Sequence, residues 1–313
     1  MWAYLGRRIL STIPVVLIVA VLIFLMLRLT PGDPAAVIAG DAATSADVAE
    51  IREKLGLGGS MVSQFFIWAA RALQGDFGES FFYKKTVASL IADRLEPTLA
   101  LSLLTIILAT VIAVPLGTIA AYRQGSWIDR AVMGLSVAGF SVPVFVIGYV
   151  LIYVFALKLG WFPVQGYQRI ADGFWGFLQR LILPSLALAI VFIALLARMT
   201  RTSVLEVLNE DYVRTARAKG LPNLKVLMFH ALRNAAVPIV TVIGISIAAL
   251  LGGVVVTESV FNIPGLGRLT VDAVLARDYP TVQAVILLFS LAYVVINLLI
   301  DVAYTVLDPR IRY

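Results

Sequence analysis

The chain has no cysteine, one histidine and few charges. Only 14% of its 313 residues are charged, against 60% hydrophobic. Without cysteine there is no disulfide, thiolate metal site, iron–sulfur cluster or cysteine nucleophile. A single imidazole, His230, leaves no room for a multi-histidine metal site. No G-x-x-x-x-G-K-[ST] stretch is present to cradle nucleotide phosphates. No clustered acid/base set lies at membrane depth, so neither a catalytic residue nor a metal ligand is expected. Soluble domains carry about 25% charged residues. The shortfall, a mean hydropathy of +0.94 and repeated apolar runs of spanning length put the chain in the membrane class. The net charge of +6 does not point to nucleic acid, because the basic residues sit mostly at the ends of apolar runs, where membrane orientation accounts for them.

What is present is a series of six such runs. They cover Ile9–Leu27, Thr98–Tyr122, about 131–157, Leu181–Ala197, Ala235–Thr257 and Val282–Thr305. The first competes with a cleaved signal peptide. Its length, and the lack of an A-x-A site directly after it, favour an uncleaved span. Between the first two runs lies a polar segment. It opens with turn chemistry at Leu29-Thr30-Pro31-Gly32-Asp33-Pro34. It continues with a short helix over Ala46–Leu55 ended by Gly56, a more apolar helix over Gln64–Leu73, a turn at Gly75–Ser80 and an amphipathic stretch from Val87 to Leu95. Lys158–Arg180 reads as a loop whose Trp161, Tyr167 and Trp175 suit a membrane interface. The expected organisation is a first transmembrane helix over 1–30, an extracytoplasmic segment over 31–97, a five-helix core over 98–307 and a tail over 308–313.

An even number of spans puts both termini on one side. That side collects Arg7, Arg8, Arg123, Arg130, Arg198, Arg201, Arg214, Arg217, Lys219, Lys225, Arg233, Arg310 and Arg312. By the positive-inside rule it is cytoplasmic. The expected fold is therefore an all-α integral membrane protein with six transmembrane helices and both termini in the cytoplasm.

The most distinctive stretch is the basic insert over 198–234. Asn209 is a suitable N-cap, and Glu210 and Asp211 favour a first helical turn. Lys219 suits a last turn, Gly220 the C′ position, and Pro222 stops continuation. These signals predict a short helix, a turn, and a second helix over Asn223–Asn234. Thr215, Ala216 and Ala218 keep the first helix thin enough to seat in a groove on a partner, ringed by Arg214, Arg217 and Lys219. The alternative is a solvated loop that merely obeys the positive-inside rule.

Other candidates are weaker. Ser141 and Pro143, with Gly139, would open the third span so that backbone lines a cavity. Gly252 and Gly253 permit close helix approach or a hinge. Asn262, Pro264 and Gly265 form a tight turn suited to an outer gate. The first two sets are more often simple packing features, and the turn has the alternative of a plain connector. Charged residues that count as part of a span are few: Glu258 at the outer end of the fifth, Asp301 near the inner end of the sixth and Arg198 at the end of the fourth. That scarcity disfavours a stand-alone channel or an ion-coupled secondary transporter, the main alternative function.

Arg214-Thr215-Ala216-Arg217-Ala218-Lys219-Gly220, followed by His230-Ala231-Leu232-Arg233-Asn234, resembles the cytoplasmic coupling segment of ABC-importer permeases, most closely the peptide, glutathione and nickel branch. The broader consensus has Glu-Ala-Ala ahead of the Gly and Leu-Pro beyond it. Here Arg214 and Thr215 stand at the first two positions and Arg233 at the Pro. Leu29–Pro34, Gly75–Ser80, Phe261–Arg268, Arg277–Pro280 and Asp308-Pro309-Arg310 agree with the same branch, so the resemblance spans the chain. It implies a type I ABC-importer permease fold in the bacterial plasma (inner) membrane. It implies uptake of short peptides or related solutes by alternating access. It also implies a second related permease subunit, two cytoplasmic ATPase subunits carrying ATP and Mg, an extracytoplasmic substrate-binding protein and surrounding lipid. No cofactor is expected on this chain.

Overall fold

The structure, a computed structural model, describes residues 2–29, 34–39, 44–54 and 56–307. The expected turn at 30–33 and the tail at 308–313 lie outside the described residues. Every regular element among the described residues is helical apart from one isolated bridge, Glu79 to Thr86. In chain order the helices are α1 (Trp2–Arg28), α2 (Pro34–Ala39), α3 (Ser45–Lys54), α4 (Met61–Leu73), α5 (Val87–Tyr122), α6 (Trp127–Ser141), α7 (Val144–Leu151), α8 (Phe174–Leu208), α9 (Asp211–Ala218), α10 (Asn223–Lys225), α11 (Ala236–Val260), α12 (Leu266–Leu275) and α13 (Tyr279–Leu307). α7 widens into π-helical turns over Ile152–Lys158, and α10 does so over Val226–Leu232.

Four helices, α5, α8, α11 and α13, are long and apolar enough to cross a membrane. The pair α6–α7 makes a fifth if it is taken as one bent span. α1 is also helical throughout, with an apolar stretch over Leu10–Met26. The expected third span is not straight. Its two halves meet at 102°. Pro143 forces the residue before it out of the helical region, and Val142 is extended at φ −90°, ψ 127°.

The chain forms two compact units, one of Leu99–Ile263 with the stretch from Ile296, the other of Trp2–Thr98 with Pro264–Val295. In the first, α8 is the central rod and packs against α6, α7 and α11. Its Leu181, Leu183, Ala187, Leu188, Leu196 and Val204 are all buried. α5 reveals how a helix that is apolar all round chooses a face. Leu101, Thr105, Ala109 and Ala113 recur every fourth residue and are buried. Leu99, Leu103, Ile107 and Val111 recur likewise and are exposed. Hydrophobicity cannot select between two apolar faces in lipid, so close packing does, and the smaller residues turn inward. The limit is Gly117. A Cβ there would lie 2.5 Å from the Ala197 carbonyl oxygen and 2.7 Å from the Thr200 Cβ, so α5 and α8 meet backbone to backbone.

In the second unit, α1 packs against α4. Leu90, Leu266, Leu269 and Val285 form a separate small core. Buried polar ties hold this unit together. Gln283 Nε2 donates to the Ile23 carbonyl (2.8 Å), the Leu266 amide donates to Thr98 Oγ1 (2.8 Å), and Ser80 Oγ donates to Asp278 Oδ2 (2.5 Å).

Candidate functional site

The basic insert folds as a capped helix on the end of α8. No glycine or proline interrupts the chain between Pro184 and Pro222 except Gly220, so α8 propagates through Arg198 to Leu208, past the expected end at Ala197. This moves Asn209. It closes α8 and does not open the next helix. Its Nδ2 donates back to the Leu205 carbonyl at 3.1 Å. The residue before α9 is Glu210, which makes no side-chain cap.

The far end of α9 follows the expected chemistry. Gly220 has φ +78°, a left-handed backbone that costs glycine nothing. The Leu221 amide reaches the Ala216 carbonyl (3.3 Å) and the Gly220 amide reaches that of Arg217 (2.9 Å), completing a Schellman motif. Leu221 then packs with Val213, Ala216 and Val226 in a small core. Val213 is fully buried and Ala216 is 7% exposed. Arg214, Thr215, Arg217, Ala218, Lys219 and Gly220 are exposed. Ala216 therefore seats α9 on its own chain. Arg214 pairs locally with Asp211 at 3.3 Å, and Thr215 Oγ1 donates to the Asp211 carbonyl.

The second half of the insert anchors this helix. Leu227, Ala231, Ala235 and Ile239 pack with Ala121 of α5 and Val204 of α8. His230 offers its carbonyl to Asn234 Nδ2 at 2.7 Å. Tyr212 of α9 lies near the Asn234 side chain. Partial desolvation and the nearby Glu210 raise its phenol above the usual range, outweighing the lowering influence of Asn234. Two features of this region were not anticipated from the sequence. Leu224, Met228 and Phe229 are exposed at 71%, 48% and 69%, a spacing that places them on one helical face beside a polar segment. Asp129, on the first turn of α6, takes the forked guanidinium of Arg201 on α8. Arg201 Nε donates to Oδ1 and Nη2 to Oδ2 (2.7 Å). Asp129 Oδ2 also accepts from the Gly125 amide at 2.9 Å.

The other candidates are scattered. Ser141 is exposed and its hydroxyl bonds the Val137 carbonyl, while Pro143 opens α7. Gly252 is exposed with open space around it, and Gly253 lies against Leu188 of α8. Asn262 sits in the left-handed region at φ +54° just past α11. Pro264 is exposed and Gly265 buried ahead of α12. Glu258 and Asp301 are both buried and both engaged with partners. Among the described residues no group of acids and histidine could hold a metal ion.

The family described as binding-protein-dependent transport system inner membrane component matches residues 113–313, and its N-terminal counterpart matches residues 1–102. The chain belongs to this family. It is a pore-forming permease subunit of an ABC importer and a multi-pass membrane protein. It is not itself an enzyme, because ATP hydrolysis in such systems belongs to partner subunits. The permease is 55% identical over 313 residues to a probable peptide ABC transporter permease of Sinorhizobium fredii, covering 100% of both chains. It is 46% identical over 310 residues to the glutathione transport system permease of Escherichia coli, covering 99% of each. It is 45% identical over 313 residues to a putative peptide transport system permease of Brucella abortus, again covering 100% of both. Among solved structures, the inward-facing MetNI methionine ABC transporter aligns with a TM-score of 0.59 at 18% identity, over 70% of this chain and 96% of that one. That likeness establishes a shared permease fold.

Proposed function

We propose that the permease imports short peptides or related small solutes across the bacterial inner membrane. It pairs with a second related permease subunit, and each of two cytoplasmic ATPase subunits, which carry ATP and Mg, receives one coupling helix. An external binding protein delivers the solute. Six spans with both termini inside complete this reading, with 1–30 as the first span, 31–97 outside, 98–307 as the core and 308–313 as a cytoplasmic tail. The relatives' names support the peptide class, at 45–55% identity over whole chains.

The observation that carries the coupling role is the division of α9 into an inward face and an outward face. Val213 and Ala216 hold it to its own chain, while Arg214, Thr215, Arg217, Ala218, Lys219 and Gly220 face out. The adjoining Leu224, Met228 and Phe229 supply apolar area that a partner groove would desolvate. The helix packs on the end of α8 through Val207 and Leu208, so displacement at α9 would be passed to α8. Ser141 and Pro143 at the break, Gly252 and Gly253 on α11, and Asn262, Pro264 and Gly265 after it are the proposed pore and gate positions.

The test is Ala218→Trp in the reconstituted transporter, measuring solute taken up per ATP hydrolysed. The expected result is a drop of at least ten-fold in uptake with hydrolysis retained. Normal uptake by a well-expressed Ala218→Trp protein overturns the docking role. Gly220→Pro should give the same phenotype, because proline cannot adopt φ +78°. Ala216→Trp is a control for misfolding, since it strikes the segment's own core.

A further inference from the structure

We infer that a cleft in the second unit is a binding site for a zwitterionic, peptide-like solute, with Arg28 as the receptor for its carboxylate. The cleft has a volume of about 540 Å³, within the range of small-molecule sites. Its charged walls are Arg28 and Arg71 against Glu50, Glu53, Asp76 and Glu79.

Arg28 ends α1 and is held in place by neutral groups alone. Its Nε donates to Gln64 Oε1 at 2.9 Å and its Nη1 to the Phe24 carbonyl at 3.2 Å. The guanidinium carbon stands 3.5 Å from the centre of the Phe24 ring. That ring is itself fixed edge-on by Phe65, 5.3 Å away, and leans on Trp68 at 5.9 Å. Gln64 is buried, and its amide is fully committed. Its Nε2 donates to the carbonyls of Leu57 (3.0 Å) and Gly59 (3.2 Å), which orients Oε1 toward Arg28. Among the described residues no carboxylate pairs with Arg28. A guanidinium has five N–H donors. Two are used, so a fixed, half-buried cation presents the others to the cleft.

A lone anion is a poor occupant, because four carboxylates outnumber the two arginines along the wall. A ligand with a carboxylate and an ammonium meets both demands. The carboxylate takes the Arg28 fork. The ammonium takes Glu53, Asp76 or Glu79. Trp68 offers a flat apolar wall for what lies between. The assignment rests on the peptide-import reading for its choice of solute, but the site is separate from the coupling segment.

The test uses the full transporter in lipid nanodiscs without the external binding protein, titrated with tritiated alanyl-phenylalanine, its C-terminal amide and its N-acetyl form. The free dipeptide is expected to bind at least ten-fold more tightly than the amide. Arg28→Gln should abolish that preference, and Arg28→Lys should restore part of it. Glu79→Gln combined with Glu53→Gln should erode the preference for a free amine over the acetylated form, which keeps the site testable if Arg28→Gln fails to assemble. No saturable binding to the wild-type transporter overturns the inference. So does an acid-over-amide preference that survives in Arg28→Gln. If ATP-driven dipeptide uptake with the binding protein stays intact while the cleft binds nothing, only the cleft assignment falls. Absence of uptake by the complete wild-type system removes the peptide-import reading instead.

Discussion

Two arginines in this molecule are held in opposite ways. Arg201 is spent inside the fold. Its fork closes on Asp129, whose side chain is 5% exposed and also caps the Gly125 amide. Arg28 is held just as firmly by Gln64 and Phe24, but its charge is left unmatched by any acid among the described residues. The difference separates a structural cation from an available one. Fixing a guanidinium with a carboxylate uses its charge, whereas fixing it with an amide and a carbonyl orients the charge and leaves it for a ligand.

Four measurements would break or sharpen that contrast. The largest effect is expected from Asp129→Ala. Removing one partner of a largely buried pair strands the other charge, at a cost of about 2–4 kcal/mol. Arg201 is 23% exposed, which keeps the figure toward the lower end. Denaturant unfolding of the detergent-solubilised protein reads this. The exchanged pair Asp129→Arg with Arg201→Asp should recover part of the loss in a double-mutant cycle. Gly117→Leu comes next. It forces apart two backbones and should cost about 1–3 kcal/mol in the same assay, with uptake falling alongside. Arg28→Gln should cost only about 1 kcal/mol, since two hydrogen bonds to neutral groups are at stake and no ion pair. If it costs as much as Asp129→Ala, the distinction between the two arginines is wrong. Gly220→Ala should be the mildest, about 1 kcal/mol from backbone strain at positive φ, with no change in the number of proteins inserted.

Local signals in the sequence were legible where the physics is local. Gly220 and Pro222 end α9 as expected, and Pro143 breaks the third apolar run. Gly56 follows a helix that runs Ser45–Lys54, one residue from the expected start. Long-range partners were not legible. Asp129 and Arg201 are 72 residues apart, and no periodicity joins them. Ser80 and Asp278 are 198 apart, in two separate turns. Pro97 was a weaker boundary than expected: α5 runs unbroken from Val87 through Pro97 and Pro115 to Tyr122, so the second span begins inside a longer helix. Asn209 failed as an N-cap for a related reason: the helix before it had no cause to stop at Ala197, and once α8 ran on, the amide was used to close it. The far end of α9 was readable because Gly220 and Pro222 close it locally, and the inward turn of Ala216 was not, because the core it enters is built partly from Val226, ten residues downstream.

The length of α8 has a mechanical consequence. Its 35 residues make a rod about 52 Å long at about 1.5 Å per residue, against a hydrocarbon layer of about 30 Å, so roughly 20 Å of the same rod projects beyond the lipid. A stiff rod pivoting near its middle behaves as a see-saw. A tilt of about 5° moves each end by about 2 Å, in opposite senses, given that length. In the proposed pairing of two permeases with these ends in the cytoplasm, drawing the two ends together would part the opposite ends in the same stroke, and the alternation between faces would need no separate signal to carry it across the membrane.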